Sequence, residues 1–147
     1  MKKLVLISLI VISSCTFIDA KYSHSRVDYR TFRLKATANN DAGSSYANAC
    51  FEIGAADIAL ARGKDYFIIL DQSLTNDPTI YTNSTPIPLK NGDTIVSTSS
   101  SVTNYWTKIG NIRVFDERPD TDYVSSYYAK TIISKWSTEV KTMCRGY

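Results

Sequence analysis

The chain has 147 residues, of which 44% are hydrophobic and 21% are charged, and its formal net charge is +3. This balance is typical of a single globular domain and excludes a disordered or fibrous chain. The charge is too small and too dispersed for a dedicated nucleic-acid-binding protein, so no nucleic-acid partner is expected. Three cysteines are too few for a disulfide-rich miniprotein.

The first segment of the chain predicts its compartment. Lys2 and Lys3 precede an aliphatic run over residues 4–12, which suits the apolar part of a signal peptide and is too short to span a bilayer as a helix. The following Ile-Ser-Ser-Cys segment, ending at Cys15, resembles the lipobox of bacterial lipoproteins. The pattern therefore predicts a lipoprotein signal peptide over residues 1–14 and lipid attachment at Cys15.

Lipidation at Cys15 would hold the protein on a membrane through its acyl chains. Because Thr16 rather than aspartate follows the cysteine, we expect the outer membrane, with the protein facing the periplasm. Residues 15–27 then form the anchor and a short polar tether, and residues 28–147 form one domain. Two alternatives stay open: a secretory signal cut after Ala20, which gives a soluble periplasmic or secreted protein, and a coincidental cysteine.

The two other cysteines, Cys50 and Cys144, form an even pair once Cys15 carries lipid. In an oxidising compartment they can form a disulfide. That bond would close a loop of roughly 95 residues and stabilise the fold by up to about 4.7 kcal/mol in the chain-entropy model. The alternative is a buried thiol at Cys50 and a free thiol at Cys144.

Hydrophobic periodicity predicts the elements of the first half of the domain. Alternation over residues 29–38 predicts a half-buried strand, and residues 44–62 predict a helix that begins at a serine cap and ends before Gly63. Gly54 inside this helix indicates a close approach to a sheet. The apolar run over residues 66–70 predicts a buried strand, so the order favours a parallel β-α-β unit or a split version of one.

The second half is predicted to begin with a long surface loop over residues 72–93 that contains at most a short edge strand. It holds an Asn91-Gly92 turn that could lead a hairpin into residues 94–99, and it contains Pro78, Pro86 and Pro88. Residues 109–115 predict a core strand and residues 123–141 a last helix, capped by Asp120, Thr121 or Asp122. Together the elements predict one α+β domain: a mostly antiparallel sheet of four or five strands with two helices on one face.

Three blocks of the chain carry a further pattern. The most specific spans residues 53–67, with two alanines, an acidic residue, an aliphatic residue and then Gly-x-Asp-Tyr-Phe. The others are the strand block over residues 29–34, and residues 112–115 followed by Pro119 and the Tyr128-Ala129 helix. Together the three blocks resemble small uncharacterised proteobacterial lipoproteins. The resemblance implies a surface- or periplasm-facing lipoprotein with a small α/β fold and no catalytic residues.

Catalytic and metal-binding patterns are missing from the sequence. His24 is the only histidine and lies in the predicted tether, and no cysteine or histidine cluster has zinc-ligand spacing. We therefore expect no catalytic residue, no metal and no cofactor. Five carboxylates near element ends are interpreted as turn and cap residues, although a close pair of them would instead indicate hydrolysis: Asp57, Asp65, Asp71, Asp116 and Glu117.

Tyrosine and tryptophan are favoured at protein interfaces, and several cluster in the last third of the chain. Tyr105, Trp106 and Tyr127 are the candidate interface aromatics, although core packing explains such residues as well. The sequence favours a non-enzymatic envelope lipoprotein whose partners are the membrane and other envelope proteins. The alternative is a small periplasmic protein that binds or hydrolyses envelope carbohydrate or peptide.

Overall fold

The computed structural model of the chain describes residues 18–90, 92–120 and 125–146. The predicted signal peptide and Cys15 lie outside the described residues. So do Asn91 of the predicted turn, the proposed cap residues Thr121 and Asp122, and Tyr123 at the predicted start of the last helix.

Five strands form one antiparallel sheet in the order β1-β2-β4-β3-β5. Their bounds are β1 Ala20–Arg26, β2 Thr31–Asn39, β3 Tyr66–Pro88, β4 Thr94–Phe115 and β5 Ser126–Tyr128. Because β2 and β3 both run antiparallel to β4, they are parallel to each other with β4 between them. The strand–helix–strand unit is therefore the split version.

Three helices complete the single α+β domain, and the predicted fold class is confirmed. They are α1 Gly43–Ala61, α2 Ala129–Lys135 and α3 Thr138–Arg145. Helix α1 contacts β1 to β4, and α2 and α3 contact α1. The core lies between α1 and the sheet, where β2 contributes alternate buried residues Phe32, Leu34, Ala36 and Ala38, as its sequence pattern predicts.

Small residues let α1 lie close to its neighbours. A Cβ atom added at Gly54 would come within 2.8 Å of the Tyr22 ring and 3.1 Å of Leu34 Cδ1, which confirms the predicted close approach. Gly63 ends the helix at a φ of 67°, also as predicted. The prediction that a serine caps this helix is wrong, because the N-cap residue is Ala42. The N–H of Ala42 donates to Asn39 Oδ1 at 3.0 Å.

Residues assigned to the polar tether form the edge strand β1, so the folded domain begins before residue 28. Ala20 is buried and Tyr22 packs against the core, whereas Lys21 and residues 23–26 are exposed. The turn into β2 is built on Asp28, whose Oδ1 accepts the N–H groups of Arg30 at 2.8 Å and Thr31 at 2.7 Å. The hydrogen bond from Arg30 is the main cause of a lowered pKa of Asp28.

The predicted last helix is divided into three elements. Its first described residues form β5, where Tyr127 stacks on Phe67 with ring centroids 5.2 Å apart. The chain is extended at Trp136 between α2 and α3, and Ser137 Oγ accepts the N–H of Val140 to cap α3. The apolar residues over 123–141 recur at helical spacing on both sides of Ser137. That spacing alone therefore did not reveal that one helix ends and another begins there.

The surface-loop prediction for residues 72–93 is wrong, because β3 continues as one strand to Pro88. The hairpin into β4 is confirmed, with Gly92 at a φ of 90° in the turn. Leu89 N–H donates to Asp93 O at 2.7 Å, so odd-numbered residues of distal β3 bond to β4. The three prolines occupy even positions, whose N–H would point away from β4, and therefore leave the ladder intact.

Candidate functional site

The distal parts of β3 and β4 form a two-stranded arm, defined as residues 78–88 and 94–104. Over these eleven residues of each strand, β3 and β4 pair only with each other, because β2 pairs with β4 up to Tyr105 and β5 with β3 only up to Ile68. At the rise of an antiparallel strand the arm is roughly 35 Å long. A lone two-stranded hairpin is marginally stable in water, and no third strand of the described residues pairs with the arm.

The arm exposes apolar side chains on the face formed by its even-numbered residues. Ile80 is 68% exposed, Val96 63% and Val102 61%. Ile80 lies opposite Val102 in the register, and Val96 lies opposite Pro86. This face continues the side of the sheet that α1 covers nearer the core. Exposed apolar surface of this kind on a small protein typically marks an interaction site.

Charge is confined to the turn of the arm. Lys90 and Asp93 are its charged residues, and the two strands carry none. Natural sheet edges are usually protected by charged side chains, prolines or bulges. On this arm the β3 edge has three prolines, whereas the β4 edge from Thr94 to Asn104 has no such protection.

The candidate interface aromatics do not lie together. Tyr105 and Trp106 are neighbours in β4 and therefore face opposite sides of the sheet. Trp106 packs against the core, and Tyr127 lies in β5, separated from β4 by β3. All three are half-buried. Their role at an interface stays a prediction.

A cavity of about 280 Å³ with a mixed polar and apolar lining lies between β1 and the C-terminal half of α1. It is lined by Tyr22, His24, Asp57, Ile58, Ala61 and Arg62. Asp57 Oδ2 accepts hydrogen bonds from Tyr22 OH and from Arg145 Nε, both at 2.8 Å. Asp57 Oδ1 accepts a third, from Arg145 Nη2, at 2.6 Å. The carboxylate therefore links β1, α1 and α3.

Two other candidate carboxylates also form local polar contacts. Both Asp116 oxygens lie 2.7 Å from Lys64 Nζ, and this hydrogen bond is the main cause of a lowered pKa of Asp116. Asp71 accepts hydrogen bonds from the backbone and side chain of Asn111. Asp116 directly follows β4, as the interpretation as a turn residue predicts. That interpretation is wrong for Asp71, which lies within β3 next to a bulge in its pairing with β4.

A second cavity, of about 170 Å³, is apolar and lies between α1 and α3, where it is lined by Ser45, Tyr46, Ala49, Trp136 and Val140. The buried Trp136 Nε1 has no hydrogen-bond partner among the described residues. On β4, Lys108 Nζ donates to Asn48 Oδ1 of α1 at 2.7 Å and lies 5.0 Å from the Phe51 ring centroid. Burial lowers the pKa of Lys108.

The predicted disulfide between Cys50 and Cys144 is confirmed. It joins α1 to α3 across 94 residues of sequence, with the two Cα atoms 5.1 Å apart. Both cysteines are fully buried.

Within residues 18–90, 92–120 and 125–146, no helix is long and apolar enough to cross a membrane. In the same part of the chain, no three metal-ligating side chains come close enough to hold an ion.

Of the arm, the sequence analysis predicted the hairpin into residues 94–99 but missed the distal part of β3, although the sequence contains signals for it. The prolines at positions 78, 86 and 88 are separated by even numbers, as expected for one edge of a strand. The long uncharged, Ser/Thr-rich stretch after Gly92 also favours a strand.

Comparisons with protein-family models, curated proteins and solved structures found no match for this chain.

Proposed function

We propose that this chain is a non-enzymatic lipoprotein of the bacterial envelope, anchored through Cys15, whose arm binds another envelope protein. The observation that carries the proposal is the exposed apolar face of the arm, with Ile80, Val96 and Val102 each more than half exposed. Such surface is unfavourable in water and is stabilised when a partner covers it. The aliphatic segment before Cys15 and its resemblance to a lipobox support the anchor.

Two further features support an envelope location. The Cys50–Cys144 disulfide agrees with an oxidising compartment, since cytosolic proteins rarely keep one. Ile18 already packs against the core and Asp19 O accepts the N–H of Asn39, so two residues separate Cys15 from the folded domain. A lipid on Cys15 would therefore hold the domain close to the bilayer, within reach of other membrane-bound proteins.

Replacement of Cys15 tests the anchor. Cys15→Ser should abolish metabolic palmitate labelling and release the protein from membranes, because serine has no thiol to accept the diacylglyceryl group. The replacement Thr16→Ser is the matched control, because it changes the neighbouring residue but leaves the thiol of Cys15 and the Cys50–Cys144 disulfide in place, and it should keep the label. Unchanged labelling of the Cys15→Ser protein would contradict the anchor.

Polar substitutions on the arm test the docking role. The double variant Ile80→Ser, Val102→Ser should weaken co-purification of the partner in mild detergent. Burial of an aliphatic side chain at an interface contributes about 1.5–3 kcal/mol, so each loss should lower the affinity by roughly tenfold or more. Val27→Ser is the control, because Val27 is 60% exposed and lies outside the arm. Equal recovery of the partner with both proteins would contradict the proposal.

A further inference from the structure

We propose that the free β4 edge of the arm pairs antiparallel with the same edge of a second copy of this chain, centred on Ser99. The inference builds on the proposed role of the arm as an interaction surface and names the occupant of one of its edges. The product is a four-stranded sheet in the order β3-β4-β4-β3, with a two-fold axis at its centre.

The first step is that the β4 edge has unpaired backbone groups. Odd-numbered residues of the arm bond across the hairpin, as Leu89 and Asp93 do, so the even-numbered residues of β4 direct their N–H and C=O groups outward. Strand β2 occupies this same edge of β4, but its pairing stops at Tyr105. An added strand would therefore continue the sheet in line with β2.

The second step is that the two edges of the arm are not equivalent. The outward-facing positions of distal β3 include Pro78, Pro86 and Pro88, which cannot donate a hydrogen bond. The β4 edge has no proline, no glycine and no charge between Thr94 and Asn104. Only the β4 edge therefore offers a complete row of donors and acceptors.

The third step identifies the occupant, because the sequence of this edge reads nearly the same in both directions. About Ser99, Thr98 corresponds to Ser100, Ser97 to Ser101 and Val96 to Val102. An antiparallel two-fold pairing centred on Ser99 thus places Val96 of one copy opposite Val102 of the other. Foreign strands have no general reason to match this pattern, whereas a second copy matches it by symmetry.

The position of the two-fold axis at Ser99 also agrees with the hydrogen-bond pattern of the β3–β4 pair. Ser99 bonds toward β3, so two copies of Ser99 would face each other as a non-hydrogen-bonded pair. The outward-facing residues Val96, Thr98, Ser100 and Val102 would then all form hydrogen-bonded pairs. Over residues 95–103 this gives roughly eight intermolecular backbone hydrogen bonds, two for each of four pairs.

The pairing also extends the exposed apolar face. In one copy, Pro86 lies beside Val96, and Ile80 lies beside Val102. With a second copy added, each row becomes Pro86, Val96, Val102 and Ile80 across four strands. The paired strands carry no charge, so no like charges face each other across the new strand pair. The dimer would thus give the proposed partner a broader apolar surface than one arm does.

Proline substitutions at two residues that lie opposite each other in the arm, one on each strand, test the inference. In the full chain in mild detergent, light scattering should give the mass of two copies for the unmodified protein. Ser100→Pro removes an outward N–H from the β4 edge and should raise the Kd of self-association by roughly tenfold or more. Thr82→Pro is the matched control, because Thr82 lies directly opposite Ser100 but faces the β3 edge. It should remain dimeric.

A cysteine at the two-fold centre provides a second measurement that does not depend on proline tolerance. The Cα atoms of a non-hydrogen-bonded pair lie about 4.5 Å apart, within disulfide range. Ser99→Cys should therefore form a disulfide-linked dimer on non-reducing gels. Ser97→Cys alone should not, but should crosslink when mixed with Ser101→Cys protein.

Two results would overturn the inference: a monomeric unmodified protein, or equal self-association of the Ser100→Pro and Thr82→Pro variants. If Ser100→Pro released a foreign protein while Ser99→Cys gave no dimer, the edge would bind another chain and self-pairing would be refuted. Failure of the proposed docking function would be visible separately. In that case Ile80→Ser, Val102→Ser would retain every co-purified protein while Ser99→Cys still crosslinked.

Discussion

Asp57 connects three elements of the domain through its carboxylate. It lies on α1, accepts a hydrogen bond from Tyr22 of β1, and pairs with the guanidinium of Arg145 at the end of α3. Both ion-pair partners are mostly shielded from solvent, with side chains 20% and 34% exposed. Charge-assisted hydrogen bonds of this kind are stronger than neutral ones, so Asp57 should contribute to stability.

Substitution of Asp57 tests this contribution. Asp57→Asn removes the charge but keeps a similar shape, and should lower the free energy of unfolding by about 1–3 kcal/mol, measured by urea denaturation. Glu52→Gln is the control, because Glu52 also lies on α1 and pairs with Lys135, whose side chain is 54% exposed. That change should cost below about 1 kcal/mol. Equal effects would show that Asp57 forms only an ordinary surface contact.

At the scale of elements, the sequence analysis correctly predicted the strands and helices whose hydrophobic pattern reflects burial of one side. The alternation over β2 and the small-residue helix α1 ending at Gly63 are both confirmed. Gly54 could be interpreted from sequence because a helical glycine is costly unless a neighbour approaches closely, and here Tyr22 does so. Local chemistry was sufficient for these elements.

Other elements depend on pairing that a sequence window does not contain. The prolines of β3 predicted a loop because proline interrupts a central strand, yet all three lie at positions that face away from β4. Strand β1 was missed because only two of its residues face the core strongly, Ala20 and Tyr22. The interruption at Trp136 was missed because the apolar residues of β5, α2 and α3 recur at one continuous helical spacing in the sequence.

At the scale of the whole molecule, a stable core and an exposed arm have different sequence characters. The core part combines a disulfide, alternating strands and a helix buried on most sides. The arm has neither charge nor a covering element on its strands, and its apolar residues face solvent. Such an arrangement costs free energy in an isolated protein, and it is consistent with our proposal that the arm functions in contact with another surface.

The most direct test of the proposed docking function is photo-crosslinking in the intact envelope. A photoreactive residue at position 102 should yield an adduct that contains a protein other than this chain, because Val102 lies on the apolar face of the arm. The same residue at position 27 has a matching exposure, 60% against 61%, and should yield little of that adduct. Equal adducts at both positions, or none at position 102, would contradict the proposal.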